Sequence, residues 1–172
     1  MTGGDIIIIA GPTGGGKSHL ALAVAETLGG TIINADSMQV YRELSVLTAR
    51  PDVKAAGIVP HRLFGVLPAG ERCSAARWRA LALMEIAACR TAARLPILVG
   101  GTGLYFKALA DGLASIPPIP AEMRDRARER REAIGAEAFH AELALRDPAS
   151  AARIAPGDTQ RSLRAWEVYE AT

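Results

Sequence analysis

Residues 11–18 read GPTGGGKS and fit the spacing G-x-x-x-x-G-K-[ST]. In that pattern Gly11, Gly14, Gly15 and Gly16 let successive backbone N–H groups turn inward around an anion, with Pro12 and Thr13 completing the loop. Lys17 supplies a mobile positive charge, and the Ser18 hydroxyl can ligate Mg²⁺. A helix starting behind such a loop adds the positive end of its dipole. A polyphosphate is the expected ligand; the plainer alternative is a turn that only joins a strand to a helix. The next candidate is Asp36, in NADS. A carboxylate at the end of a second strand, across from phosphates, is placed to take a proton from an acceptor nucleophile. Its alternative is a turn or capping role. NTPases usually carry a further Asp at the end of another buried strand to hold the Mg²⁺ shell. Here PILV runs into Gly100, Gly101 and Thr102 instead, which favours a small transferase.

These residues need elements to hold them. Asp5 to Ala10 is a continuous β-branched run ended by Gly11 and Pro12, the pattern of a parallel strand buried on both faces. Ser18 to Leu28, rich in Ala and Leu, predicts a helix stopped by Gly29 and Gly30, and residues 31–36 (TIINAD) predict a second strand with Asp36 at its carboxyl end. Pro51, Pro60, Pro68 and several glycines break residues 37–73 into short pieces, of which HRLFGVL is strand-like. Ser74 is a candidate cap for a helix running to about Arg94, with Trp78, Leu81 and Met84 on its apolar side. A third buried strand is expected over 95–101, followed by a helix beginning TGLYF.

Composition changes at IPPIP, 116–120. Beyond it a charged helical hairpin is expected, broken at Gly135 and ended by Asp147 and Pro148, and Asp158 or Thr159 would cap a last helix. The fold class is therefore α/β: a P-loop NTPase-like parallel sheet flanked by helices, with an added helical element after about residue 120. The expected organisation is a catalytic core over 1–117, a helical insertion or appendage over 118–157, and a helix over 158–172 that returns to the core.

Composition narrows the function without naming it. The 172 residues are 49% hydrophobic and 22% charged, ordinary for a globular protein. No apolar run approaches a membrane span, and MTGGD carries no basic segment ahead of the short apolar stretch, so a cytoplasmic protein is expected. Cys73 and Cys89 have no Cys or His partners at metal-ligand spacing, and His19, His61 and His140 show no partner spacing either. A net charge of +2 does not point to a nucleic acid.

Taken together, GPTGGGKS, NADSMQVYRELSVLTARP, PHRLFGVL, LVGGTGLYFKALADGL and DTQRSLRAWEVYEAT resemble the isopentenyl-tRNA transferase family, in order and across almost the entire chain. The second, fourth and fifth stretches are more specific than the phosphate loop. That resemblance implies transfer of a dimethylallyl group from dimethylallyl diphosphate to the exocyclic amine of an adenine beside the anticodon in tRNA, with diphosphate leaving. It further implies that Thr13 to Ser18 wrap the diphosphate, with Lys17 neutralising it and Ser18 assisting Mg²⁺. Asp36 would hydrogen-bond the adenine amine and act as its base, and Thr102 would reach the oxygen bridging diphosphate and carbon. In isolation, Thr102 reads as a helix cap.

Ser37, Met38 and Gln39 would line the adenine pocket beside Asp36 and Thr102, and Gln160, Arg161, Ser162, Leu163 and Arg164 would meet the tRNA. Without the resemblance, packing for Met38 and a solvated helix face for the arginines are the ordinary readings. A flipped loop base also needs its flanking phosphates held. Among Arg124, Arg126, Arg128, Arg130 and Arg131, Arg124 is the preferred contact. A monomer is expected. Family members continue past the equivalent of Thr172 with more helical region and a basic segment, so donor binding should survive here while tRNA transfer weakens unless that part is supplied. Residues 14 to 16 are all Gly where the family more often has Ala and Ser or Thr before the last Gly, which should loosen the loop modestly. Two rival readings of the loop are a small-molecule kinase or adenine-nucleotide prenyltransferase, and a phosphate-binding module without catalysis.

Overall fold

Four strands form one all-parallel sheet in the computed structural model, which describes residues 5–50, 59–114 and 116–172. In chain order the first unit, Met1–Leu113, contains β1 (Ile7–Ala10), α1 (Lys17–Leu28), β2 (Gly30–Asn34), β3 (His61–Arg62), α2 (Ala75–Thr91), β4 (Leu95–Gly100) and α3 (Gly103–Asp111). The strands lie in the order β1-β4-β2-β3, so β4 sits between the first two strands of the sequence. Parallel neighbours need crossover connections, and α1 and α2 lie along them. Alternate side chains of the sheet then face opposite layers. Ile32, Ile97 and Val99 pack with Ala21 and Ala25 of α1, whereas Ile33 and Leu98 pack with Trp78, Ala82 and Ile86 of α2 and Tyr105 of α3.

The central strand is buried as its apolar run predicts, but β1 is not. Ile8 is 48% exposed and burial alternates along the strand. The reason is position: β1 is an edge of this sheet, and sequence composition does not encode which strand ends there. A second correction falls on α2. Ser74 does cap it, accepting a hydrogen bond from the Arg77 N–H at 3.1 Å, and Trp78 is buried. Met84, however, is 68% exposed, because the buried stripe runs through Trp78, Ala82, Ile86 and Cys89 and 84 falls off it. Of HRLFGVL only His61–Arg62 is strand, and the expected break at Pro51 lies outside the described residues.

The second unit, Ala114–Thr172, contains α4 (Ala121–Ile134), α5 (Ala136–Arg146), α6 (Pro148–Ala151) and α7 (Thr159–Ala171). The hairpin turns at Gly135, Asp147 caps α6 by accepting from the Ser150 N–H at 3.0 Å, and Asp158 caps α7 through the Arg161 N–H at 3.1 Å. Ala127, Phe139, Leu143, Ala151 and Trp166 make its core. The Phe139 and Trp166 rings lie 4.6 Å apart, and the Arg146 guanidinium sits 4.1 Å above the Trp166 ring. α7 supplies Trp166 to this second core.

Candidate functional site

The loop after β1 is shaped by two glycines in the left-handed region, Gly14 at φ +80° and Gly16 at φ +73°. A Cβ at either would meet nothing within 4 Å, so the dihedral rather than space is what calls for glycine. The Gly15 N–H donates to the Pro12 carbonyl at 3.2 Å, and no side chain caps the first turn of α1. Its leading N–H groups are thus open to an anion in the loop. The Lys17 ammonium donates to the Pro12 carbonyl at 2.6 Å, which holds it over the loop and leaves two further donors.

Asp36 lies two residues beyond β2, across from this loop. The Ala35 N–H continues the ladder to the Val99 carbonyl at 2.7 Å, and the Thr102 N–H reaches the Ala35 carbonyl at 3.3 Å. The ends of β2 and β4 approach so closely that a Cβ on Gly100 would overlap the Ala35 carbonyl and sit 2.7 Å from the Asp36 nitrogen. One carboxylate oxygen of Asp36, Oδ1, accepts from the Met38 N–H at 2.9 Å. The Thr102 hydroxyl does not cap α3. It accepts from the Ser37 N–H at 2.9 Å, which leaves its own proton free to donate.

These pieces surround one cavity of about 420 Å³. Thr13, Gly14, Gly15, Gly16, Lys17 and Ser18 line one side, and Asp36, Met38 and Gln39 another. Pro12, Ser37 and Thr102 support these walls through the contacts above, and Gly11 lies against the Lys17 stem, whose Cδ would be 3.7 Å from a Cβ placed there. Leu47, Thr48, Ala49, His61 and Phe64 complete the enclosure. They lie in NADSMQVYRELSVLTARP and PHRLFGVL, where no role is expected of them singly, and Ala49 at φ +47° shows a tight turn there. The Gln39 amide is engaged rather than free, donating to the Thr48 carbonyl at 2.9 Å and so fixing that wall. His61 uses Nδ1 on the Val59 carbonyl at 2.8 Å. Burial pushes the Tyr105 hydroxyl above the usual phenol range, so this ring is a neutral packing group, stacked on Trp78 with centroids 4.3 Å apart.

A residue outside the sequence reading, Asn34, ends β2 with no exposed surface. Its Oδ1 accepts from the Asp36 N–H at 2.9 Å, and its Nδ2 donates to the Asp36 carbonyl at 3.0 Å and the Leu63 carbonyl at 3.1 Å. The signal that could have found it is a lone amide closing an otherwise apolar strand.

The residues expected to meet RNA from the second unit fare unequally. Gln160, Arg161 and Arg164 are exposed, with Arg161 paired to Asp158 and Arg164 to Glu167. Ser162 is 1% exposed and Leu163 packs against the second core, so neither presents its side chain at the surface. Arg126, Arg128 and Arg130 pair with Glu170, Asp125 and Glu142, whereas Arg124 and Arg131 have no ion pair among the described residues. Among the described residues no helix is long and apolar enough to cross a membrane.

A family model described as IPP transferase matches residues 39–172, and one described as isopentenyl transferase matches residues 4–57. The tRNA dimethylallyltransferase of Rhodospirillum centenum is 59% identical over 97% of this chain and 53% of its own length, and that of Granulibacter bethesdensis 57% identical over 96% and 52%. The full-length tRNA isopentenylpyrophosphate transferase from Bacillus halodurans superposes with a TM-score of 0.63 at 34% identity, over 98% of this chain and 56% of that one. A eukaryotic dimethylallyltransferase acting on tRNA gives 0.78 at 27% identity, over 95% and 41%. The chain spans about half the length of the curated relatives it matches. With a four-stranded parallel sheet, relatives of 54–59% identity over nearly all of its length, and a family match running from residue 39 to 172, the chain belongs to the IPP transferase family.

Proposed function

We propose that this chain transfers a dimethylallyl group from dimethylallyl diphosphate to the exocyclic N6 amine of the adenine on the 3′ side of the anticodon in tRNA, releasing diphosphate. The observation that carries this reading is the opposition, around one cavity, of a backbone N–H cradle with Lys17 on one side and the Asp36 carboxylate on the other. The names of the relatives agree with it. Breaking the allylic C–O bond leaves its electron pair on diphosphate, where the loop N–H groups, Lys17 and the free proton of Thr102 stabilise it. The adenine nitrogen forms the new C–N bond, and its proton goes to Asp36.

Among the described residues no group of three or more His, Cys, Asp and Glu is placed to hold a metal ion. Mg²⁺ suits the loop all the same, since it commonly takes one or two protein oxygens together with substrate phosphates, and Ser18 would be that protein oxygen. When bound, it would neutralise charge on the leaving diphosphate. From the second unit, Arg124, Gln160, Arg161 and Arg164 would hold tRNA phosphates.

The test incubates the chain with dimethylallyl diphosphate, ATP and an unmodified anticodon stem-loop. A stem-loop heavier by one dimethylallyl group, with none formed by Asp36→Asn, supports the reading. ADP without prenylated RNA makes the protein a kinase, and donor binding without product makes it a donor-binding form.

A further inference from the structure

We infer that Asn34 is the positioning residue for Asp36, an inference that rests on Asp36 acting as the base. The Asn34 amide takes the Asp36 N–H on Oδ1 at 2.9 Å and gives a proton to the Asp36 carbonyl at 3.0 Å. Those two groups belong to the peptide units on either side of the Asp36 Cα. One side chain therefore holds both, and with them the direction in which the carboxylate leaves the backbone. The remaining amide proton goes to the Leu63 carbonyl at 3.1 Å. Leu63, at φ +62°, precedes Phe64 in the cavity wall, so the same amide ties the base to that part of the wall.

Asn34 is itself anchored. Its carbonyl accepts the Trp78 Nε1–H at 2.9 Å, and Trp78 is stacked on Tyr105 with both rings buried. The site demands one acceptor and two donors on a short side chain in a buried setting, which among the natural residues describes Asn. An aspartate keeps the shape but turns an oxygen toward the Asp36 and Leu63 carbonyls, where no proton of its own can serve both. Asp36 has no comparable tether of its own: its carboxylate makes one hydrogen bond, to the Met38 N–H. The loop that cradles diphosphate makes none of these contacts, so loss of the clamp should act on transfer and not on donor binding.

The experiment uses the full chain with Asn34→Asp and Asn34→Ala. The transfer rate is expected to fall about 100-fold, the scale of a 1 Å misplacement, while the Kd for dimethylallyl diphosphate stays within about threefold. Equal losses in rate and donor affinity, or a rate within about threefold of wild type, overturn the inference. Amide hydrogen exchange separates it from the transferase reading. The Asp36 amide should be protected in the wild type and lose that protection at least about tenfold in Asn34→Asp, while Ile33 and Leu98 keep theirs. A wild type that makes no product removes the transferase reading and leaves the clamp to be judged by this exchange alone. Should neither variant fold, the wild-type Asp36 amide decides: protection supports the clamp, and exchange at the rate of an open amide overturns it.

Discussion

Substituting Gly100 by alanine tests whether the close approach of two strand ends sets the chemistry. The new Cβ would overlap the Ala35 carbonyl and stand 2.7 Å from the Asp36 nitrogen, about 0.7 Å short of ordinary contact. Both neighbours are backbone, so no flexible side chain can yield, and the end of β2 must move away from β4. Overpacking of this kind costs about 1–3 kcal/mol of stability. A displacement approaching 1 Å at the base is expected to slow transfer about 10- to 100-fold. Two neighbouring glycines calibrate the effect. A Cβ on Gly101 would lie 3.2 Å from the Gly11 carbonyl, a deficit of a few tenths of an ångström, so Gly101→Ala should lose less on both measures. A Cβ on Gly103 meets nothing within 4 Å in the first turn of α3, and Gly103→Ala should gain up to about 1 kcal/mol from helix propensity with transfer unchanged. Urea denaturation gives the stabilities and single-turnover prenylation the rates. Wild-type stability together with wild-type transfer in Gly100→Ala would mean that the strand ends do not meet as closely as this.

Other outcomes follow from the same geometry. Trp78→Phe keeps most of the buried ring but removes its hydrogen bond to the Asn34 carbonyl, and should cost about 1–3 kcal/mol because that carbonyl stays buried without a partner, read by urea denaturation. Hydrogen bonds from the Ser150 hydroxyl and N–H hold the Asp147 carboxyl below the usual carboxylate range. A lowered folded-state pKa means that the stabilisation is fully present above the ordinary aspartate value of about 3.9 and disappears as pH falls through the folded value. Helicity followed from pH 6 to about pH 2 should therefore show an acid limb that is smaller in Asp147→Ala, where only other lowered carboxyls such as Glu142 remain. Chelating Mg²⁺ should weaken dimethylallyl diphosphate binding in titrations, and by less in Ser18→Ala, where the protein oxygen is already missing.

The phosphate loop and β4 were legible because each is written in local terms: glycines before Lys17 and Ser18, and an apolar run, PILV, long enough for one buried strand. The caps Ser74 and Asp158 were legible for the same reason, since a capping side chain reaches only its own helix. What stayed hidden depends on pieces far apart in the chain. The exposure of Ile8 follows from β1 lying at the sheet edge, a consequence of strand order. Thr102 looks like a cap in isolation, but its hydroxyl serves Ser37, sixty-five positions earlier in sequence. Asn34 opens NADS with no role of its own in the sequence, and that role is visible only once Asp36 and Leu63 are both beside it. Ser162 sits among exposed neighbours in the sequence and is nevertheless buried, because α7 turns that face toward Phe139 and Leu143.

The claim on which the rest depends is that the loop after β1 grips a diphosphate that departs. Calorimetric titration of the protein with dimethylallyl diphosphate, inorganic diphosphate and ATP, repeated on Lys17→Met, tests it most directly. Both diphosphates are expected to bind, and the variant to weaken both by about 10- to 100-fold, the loss of one charged hydrogen-bonding group. Tight ATP binding with no measurable affinity for either diphosphate would contradict it.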